Sequence, residues 1–512
     1  MSSDNPSRPM VTARRSARRP NRRPPAVPPS QERRIPLYEL LPHETVEMIH
    51  DASMRILEEV GIEFRYGPAI DIWREVGADI TGTRVRIPRD LLMGLIAHAP
   101  SQFTLHARNP TESVQIGGKH LAMSPNSGSP FFLDRDGTRR YATRADNLEC
   151  IRLSHQLPTI NIAGGFHCEA TDVAIPHRHL AYYADSMRYS DKASIGSCQG
   201  ADQAEDTLAM ARIVHGDEFV ANNAVITGFM NGNSPLVWDE SMLGAAIVYA
   251  RAGQPIHYSP FALAGANTPA STVGGIAQLN AEALAGCAFA QAINPGSPTI
   301  YGMFLMIVDM RSGAPMTGTP DLAHMLLMAG QLARFYDLPI RSVGMHTGSK
   351  KLDAQAGYEA NMNMHAAVHG GINLITHCGG WMEHGLTVNL AKYCTDADIA
   401  AGWLRYAQGP RLDDFDDAMV AVREVGPAGH YFGAAHTIAH YTDAFHRPEV
   451  MDQTSFEQWN EAGAKDTEQL GWERAEALLA SYEKPPIDDS VETQLLDFVA
   501  RRMTEIPEEQ TP

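Results

Sequence analysis

AVITGFMNGNSPLVWDESMLGAAIVYARAGQPIHYSP, residues 224–260, holds one complete structural unit and the start of the next. An apolar run at 224–230 is long enough for a buried strand and breaks into Asn231-Gly232-Asn233. A helical pattern follows from Asp239 to Arg251, and a second apolar run begins at Ile256 and breaks at Pro260. Short β-rich runs without polar alternation suit a parallel sheet covered by helices on its outer face. The same arrangement recurs on either side. Strands are expected at Leu121–Ser124, Ile160–Phe166, Ala193–Cys198, Ala224–Met230, Ile256–Pro260, Thr299–Phe304, Ile340–Met345 and Ile372–His377. The intervening helices Asp202–His215, Asp239–Arg251, Ser271–Ile293, Pro320–Tyr336 and Asp353–His369 each begin near a capping residue, an acid or a proline. Eight such units fit an α/β fold of the (β/α)8 TIM-barrel type. No GxGxxG or GxxxxGK[ST] supports a doubly wound nucleotide-binding sheet.

Around this barrel, expected over 119–394, the chain divides into a basic tail at 1–34, a helical and strand segment at 35–118 and a helical region at 395–512. The tail holds nine Arg, no Lys, two acids and seven Pro, a balance of +7 and a composition expected to be disordered. Since the whole chain carries −18, everything after residue 34 carries −25. A body this acidic argues against a nucleic-acid surface and favours cationic ligands. No apolar run approaches the roughly 18 residues of a membrane span, and no apolar segment follows Arg14-Arg15 or Arg18-Arg19 as an export signal requires. The six cysteines form no CxxC pair. Together these features lead us to expect a cytoplasmic protein with reduced thiols.

In a barrel of this kind, chemistry sits just beyond the C-terminal ends of the strands. Those positions are polar, aromatic and small, and nearly free of Lys and Arg, which disfavours a strongly anionic substrate. Phe131, Phe132, Tyr301, Phe304 and Trp381 are candidates for an aromatic cage around a quaternary ammonium. Glu383 or Glu169 would supply a counter-charge. His346, Asn231 and His377 are candidates for hydrogen bonds to a substrate, with His346 and Glu383 as the catalytic candidates. No resident metal is expected; the alternative is a zinc site built from His346, His377 and Cys378.

Spaced blocks carry a further signal. GIEF at 61–64, RVRIPRDLL at 84–92, SQFTLHARNP at 101–110, SGSPFFLDRDG at 127–137 and NGNSPL at 231–236 resemble the trimethylamine methyltransferase family of corrinoid-dependent enzymes. TGSKKLDAQAGYE at 347–359, GGWMEHGLT at 379–387 and GHYFGAAHTIAHY at 429–441 extend the resemblance to nearly the whole chain from about residue 40 to 480. It implies a (β/α)8 barrel that transfers a methyl group from a methylated amine to the Co(I) of a corrinoid on a separate small protein. The cofactor is then supplied by that partner and not bound tightly. A homo-oligomer is also expected.

The founding members use pyrrolysine, whereas this chain is continuous in standard residues. It therefore resembles the non-pyrrolysine branch, some members of which act on glycine betaine and related quaternary amines. A quaternary ammonium already carries the charge that a leaving amine needs, so no covalent activation is required. The alternatives are a zinc-dependent corrinoid methyltransferase acting on a non-amine donor, or a non-catalytic quaternary-amine binding or scaffold protein.

Overall fold

The computed structural model describes residues 31–508. Residues 1–30 of the basic tail, and with them the expectation of disorder there, lie outside the described residues. The strands of the main sheet are β1 (Gln31–Glu32), β2 (His120–Met123), β3 (Ser194–Gly196), β4 (Ile226–Met230), β5 (Ile256–Tyr258), β6 (Thr299–Gly302), β7 (Ile340–Val343) and β8 (Leu374–Thr376). Their order is β1-β2-β8-β7-β6-β5-β4-β3, parallel throughout except for β1, which runs antiparallel to β2. The fold is thus mixed α/β around one curled, mostly parallel sheet.

Two features depart from the sequence reading. Ile160–Phe166, the second expected strand, forms no ladder. The amides of Asn161 and Ile162 both donate to the Met123 carbonyl, at 2.9 and 3.2 Å, and those of Ala163 and Gly164 both donate to Ala193, at 3.1 and 3.2 Å. Two successive amides on one carbonyl at each side leave a single parallel bridge, from Ile162 to Ala193, in place of a ladder. The segment still ties the two sides together. The eighth member of the sheet comes from the end of the presumed tail: Gln31 pairs with Leu121, and Arg33 is buried with its guanidinium donating to the Ile372 carbonyl at 2.7 Å.

The helices that cover the sheet include α1 (Arg144–Gln156), α2 (Arg178–Tyr189), α3 (Ala201–His215), α4 (Glu240–Arg251), α5 (Thr272–Ile293), α6 (Pro320–Phe335), α7 (Ala354–Gly370) and α8 (Leu390–Ala407). Caps explain several starts: the side chains of Asp239, Ser271, Thr319 and Asp353 each accept from an amide in the first turn of the helix that follows. α5 is buried along almost its whole length, as its Ala-rich sequence requires of a helix wedged between neighbours. No described helix is long and apolar enough to cross a membrane.

One end of the sheet is plugged. The hairpin formed by Gln102–Leu105 and Val114–Gly117 buries Leu105, Val114 and Ile116 against Ala122, Ala193, Ile300 and Leu374. With its N-terminal end filled by apolar side chains, the sheet can offer a ligand only the opposite end.

Candidate active site

A cavity of about 360 Å³ lies at the C-terminal ends of the strands. Ser124 to Gly128 line it beyond β2, as do Gly196 to Gln199 around the end of β3, Asn231 beyond β4, Phe304 beyond β6, and Thr376 with His377 at the end of β8. Trp381 closes one wall.

Arg341, in the second position of β7, reaches the cavity from inside the sheet and is fully buried. Its guanidinium donates to Ser259 Oγ at 2.8 Å and to His377 Nε2 at 3.0 Å, and lies 4.3 Å from the Phe229 ring centroid and 5.3 Å from that of Phe304. Its Nε has no hydrogen-bond partner. Burial alone lowers its pKa to about 9, and no carboxylate offsets the cost. A buried cation without a counter-ion, facing a cavity, is poised to receive an anion.

The donation from Arg341 makes His377 Nε2 an acceptor, so its neutral ring carries the proton on Nδ1, which has no partner. Burial and the adjacent guanidinium push the His377 pKa well below the ordinary histidine range. His346 is shifted the same way, first by burial and then by His377 and Arg341, and neither of its ring nitrogens has a partner. Both imidazoles are therefore neutral at physiological pH. They pack on Trp381, with ring centroids 3.8 Å away for His346 and 3.9 Å for His377; Phe304 lies 5.7 Å from the same indole.

Local backbone constraints position Trp381. Gly380 has φ +75° and its amide donates to Asp396 at 2.9 Å; that carboxylate is held in turn by Lys392 at 2.6 Å, all of it buried. Gly385 has φ +96°, and a Cβ there would overlap the indole of Trp381. Gly385→Ala is thus expected to leave the fold intact but displace Trp381, lowering catalytic efficiency by roughly tenfold or more. Steady-state kinetics with a circular-dichroism control checks this, and full activity would show that the indole position is unimportant.

The structure sorts the expected site residues into three groups. Asn231, Phe304, His377 and Trp381 line the cavity, and His346 packs directly behind the last three. Glu169 also lines it, accepting from Arg178 at 3.0 Å and from the Tyr182 hydroxyl at 3.2 Å. The remaining four lie elsewhere. Tyr301 points away from the sheet interior and donates to Asn280 on α5 at 2.8 Å. Phe131 lies under the guanidinium of Arg139 at 3.4 Å, Phe132 has Arg140 over its ring at 4.9 Å, and Glu383 pairs with Arg139 at 2.8 Å. Intramolecular arginines already occupy those aromatic faces and that carboxylate.

Nor do His346, His377 and Cys378 present ligand atoms to one point. Among the described residues the sole His/Cys/Asp/Glu trio with converging ligand atoms is Asp414, His436 and His440.

Sequence reasoning missed Arg341, Arg178 and Phe229, all on the cavity wall. The positions after the strands, nearly free of Lys and Arg, could not reveal Arg341, which lies inside a strand and not after it. A signal was present: one arginine in the apolar run IRSVGM has no reason to be buried unless something meets its charge.

The trimethylamine methyltransferase (MTTB) family model matches residues 11–507. Glycine betaine methyltransferase of Desulfitobacterium hafniense strain Y51 is 37% identical over 476 residues, 93% of this chain and 99% of that protein. Trimethylamine methyltransferase MttB of Desulfitobacterium hafniense strain DSM 10664 / DCB-2 is 27% identical, covering 89% of this chain and 92% of that one. Proline betaine:corrinoid methyltransferase of Eubacterium limosum is 26% identical, covering 75% and 81%. The crystal structure of the hydroxylamine MtmB complex superposes with a TM-score of 0.49 at 12% identity, covering 91% of this chain and 88% of that one.

Proposed function

Because the chain belongs to the trimethylamine methyltransferase family, we propose that it moves a methyl group from a carboxylate-bearing quaternary amine of the glycine betaine type to the Co(I) of a corrinoid on a partner protein. The observation that carries this reading is Arg341, a buried guanidinium without a carboxylate partner, beside the aromatic cluster of Phe304 and Trp381. A zwitterion with an anion at one end and a methylated cation at the other matches both. In the same reading the curled sheet is a (β/α)8 barrel, with Ile160–Phe166 closing it.

The depth of the groups orients the substrate. Arg341 lies within its strand and Trp381 beyond the strand ends, so a carboxylate on Arg341 directs the ammonium toward the mouth. There the aromatic faces stabilise the cation by cation–π attraction and exclude the water that would shield it. Neutral His377, with its Nδ1 proton free, can donate a further hydrogen bond to the substrate. The partner's Co(I) supplies the nucleophile. The breaking N–CH3 bond leaves its electron pair on nitrogen, which departs as a neutral tertiary amine, so no side chain of this protein has to move a proton. The protein's contribution is positioning and desolvation.

The test mixes the protein with its cognate corrinoid protein reduced to Co(I), offers glycine betaine, proline betaine, carnitine, choline and trimethylamine, and follows the cobalt absorbance. Methylation of cobalt with the carboxylate-bearing quaternary amines supports the reading. Silence with every quaternary amine overturns it, and binding without transfer would instead mark a non-catalytic receptor.

A further inference from the structure

Beyond α8 the chain runs to Glu449 with little to hold it by burial: between residues 408 and 449 only Ala421 is buried. This segment carries α9 (Phe415–Val425) and α10 (Ala435–His440). At their junction Asp414, His436 and His440 bring one ligand atom each within 4.8 Å of one another. We propose that this trio is a binding site for one first-row divalent transition ion of the zinc class, which clips α9 to α10.

The two histidines are one helical turn apart on α10, so their rings lie on the same face, with centroids 4.8 Å apart. The carboxylate comes from the residue preceding α9. His436 Nε2 points at it from 3.4 Å; this nitrogen is shielded from solvent yet has no hydrogen-bond partner. An orphaned imidazole nitrogen aimed at a carboxylate is the arrangement an ion between them would satisfy. His440 Nδ1 faces Asp443 Oδ1 at 3.3 Å, which leaves Nε2 for the ion and provides the carboxylate behind a ligating histidine that fixes its ring. Arg411 competes for Asp414, its Nε being 3.6 Å from Oδ2. The same guanidinium also reaches Asp413 at 2.9 Å and Asp443 at 3.3 Å, so it keeps two carboxylate partners when Asp414 turns to a metal. Two imidazoles and one carboxylate suit Zn²⁺ and Co²⁺ better than Mg²⁺ or Ca²⁺.

The test uses the untagged full-length protein stripped with a chelator, with Co²⁺ as an absorbing probe and Zn²⁺ followed by calorimetry. The expected result is one equivalent bound, visible cobalt bands of low-symmetry coordination, and a raised unfolding temperature with Zn²⁺. His436→Gln and His440→Gln are each expected to weaken binding by roughly tenfold or more, whereas His346→Ala is expected to leave it unchanged. The proposal is overturned if the wild type binds neither ion, if His436→Gln and His440→Gln both bind as tightly as wild type, or if His346→Ala abolishes binding. None of these outcomes depends on methyl transfer.

Discussion

Arg341→Met is expected to weaken glycine betaine by about 100-fold or more in KM, while the protein itself stays as stable as wild type or becomes more so. The two effects have one cause. In the free protein the guanidinium is buried with only Ser259 and His377 as polar partners, so its charge is a net cost that an apolar side chain of similar length removes. With substrate bound, losing a buried partner to the carboxylate costs about 3–5 kcal/mol. A quaternary amine without a carboxylate, such as tetramethylammonium, should be bound at least as tightly by Arg341→Met, which lacks the neighbouring like charge.

The charges of the site give little pH dependence across the working range. Burial lowers the Arg341 pKa, but a guanidinium keeps its charge across the working pH range, so Arg341 adds no alkaline limb. His346 and His377 are already neutral below the ordinary histidine range and add no acidic limb near pH 6 to 7. Wild-type KM in Arg341→Met would assign the carboxylate to another residue.

Asp396→Ala is expected to cost about 3–5 kcal/mol of stability and to lower activity with it. Lys392 would be left buried with only the Met345 carbonyl, at 3.1 Å, and the Gly380 amide would lose the acceptor that sets the turn before Trp381. The converse change is milder. Burial already pushes the Asp396 carboxyl pKa up, against the pull of Lys392, so in Lys392→Met the acid can fold protonated. Because a raised acid pKa favours the folded state at low pH, that variant should lose stability as pH rises above the range where the unfolded carboxyl ionises. Urea unfolding of the two variants at pH 5 and pH 8 measures both effects. Equal, pH-independent losses would mean that the pair acts through packing and not through charge.

Much of the architecture was legible because it is local. Each expected helix between the strands begins and ends within a residue or two of an observed one, since caps and helical spacing involve neighbours in sequence. The segments Ile160–Phe166 and Gln31–Arg33 were misjudged for the opposite reason: whether a run forms a ladder depends on which amides and carbonyls of distant strands remain free to meet it. Within the site, Phe304 and Tyr301 show how far alternation could have gone. Ile300 packs into the plug, so even positions of β6 face inward and odd ones outward; a spacing of three between Tyr301 and Phe304 already sets them on opposite faces.

The periodicity of strands and helices and the glycine, asparagine and histidine breaks between them sufficed for the α/β architecture, and the spaced blocks for the family. Both rest on residues near one another in the chain or on patterns that survive in one dimension. Folding alone decided that Arg139 and Arg140 cover Phe131 and Phe132, that Asp396 anchors the turn before Trp381, and that Arg341 meets no acid. A side chain's charge is written in the sequence, but the partner that neutralises it, or the cavity that leaves it waiting for one, exists only once distant strands are brought together.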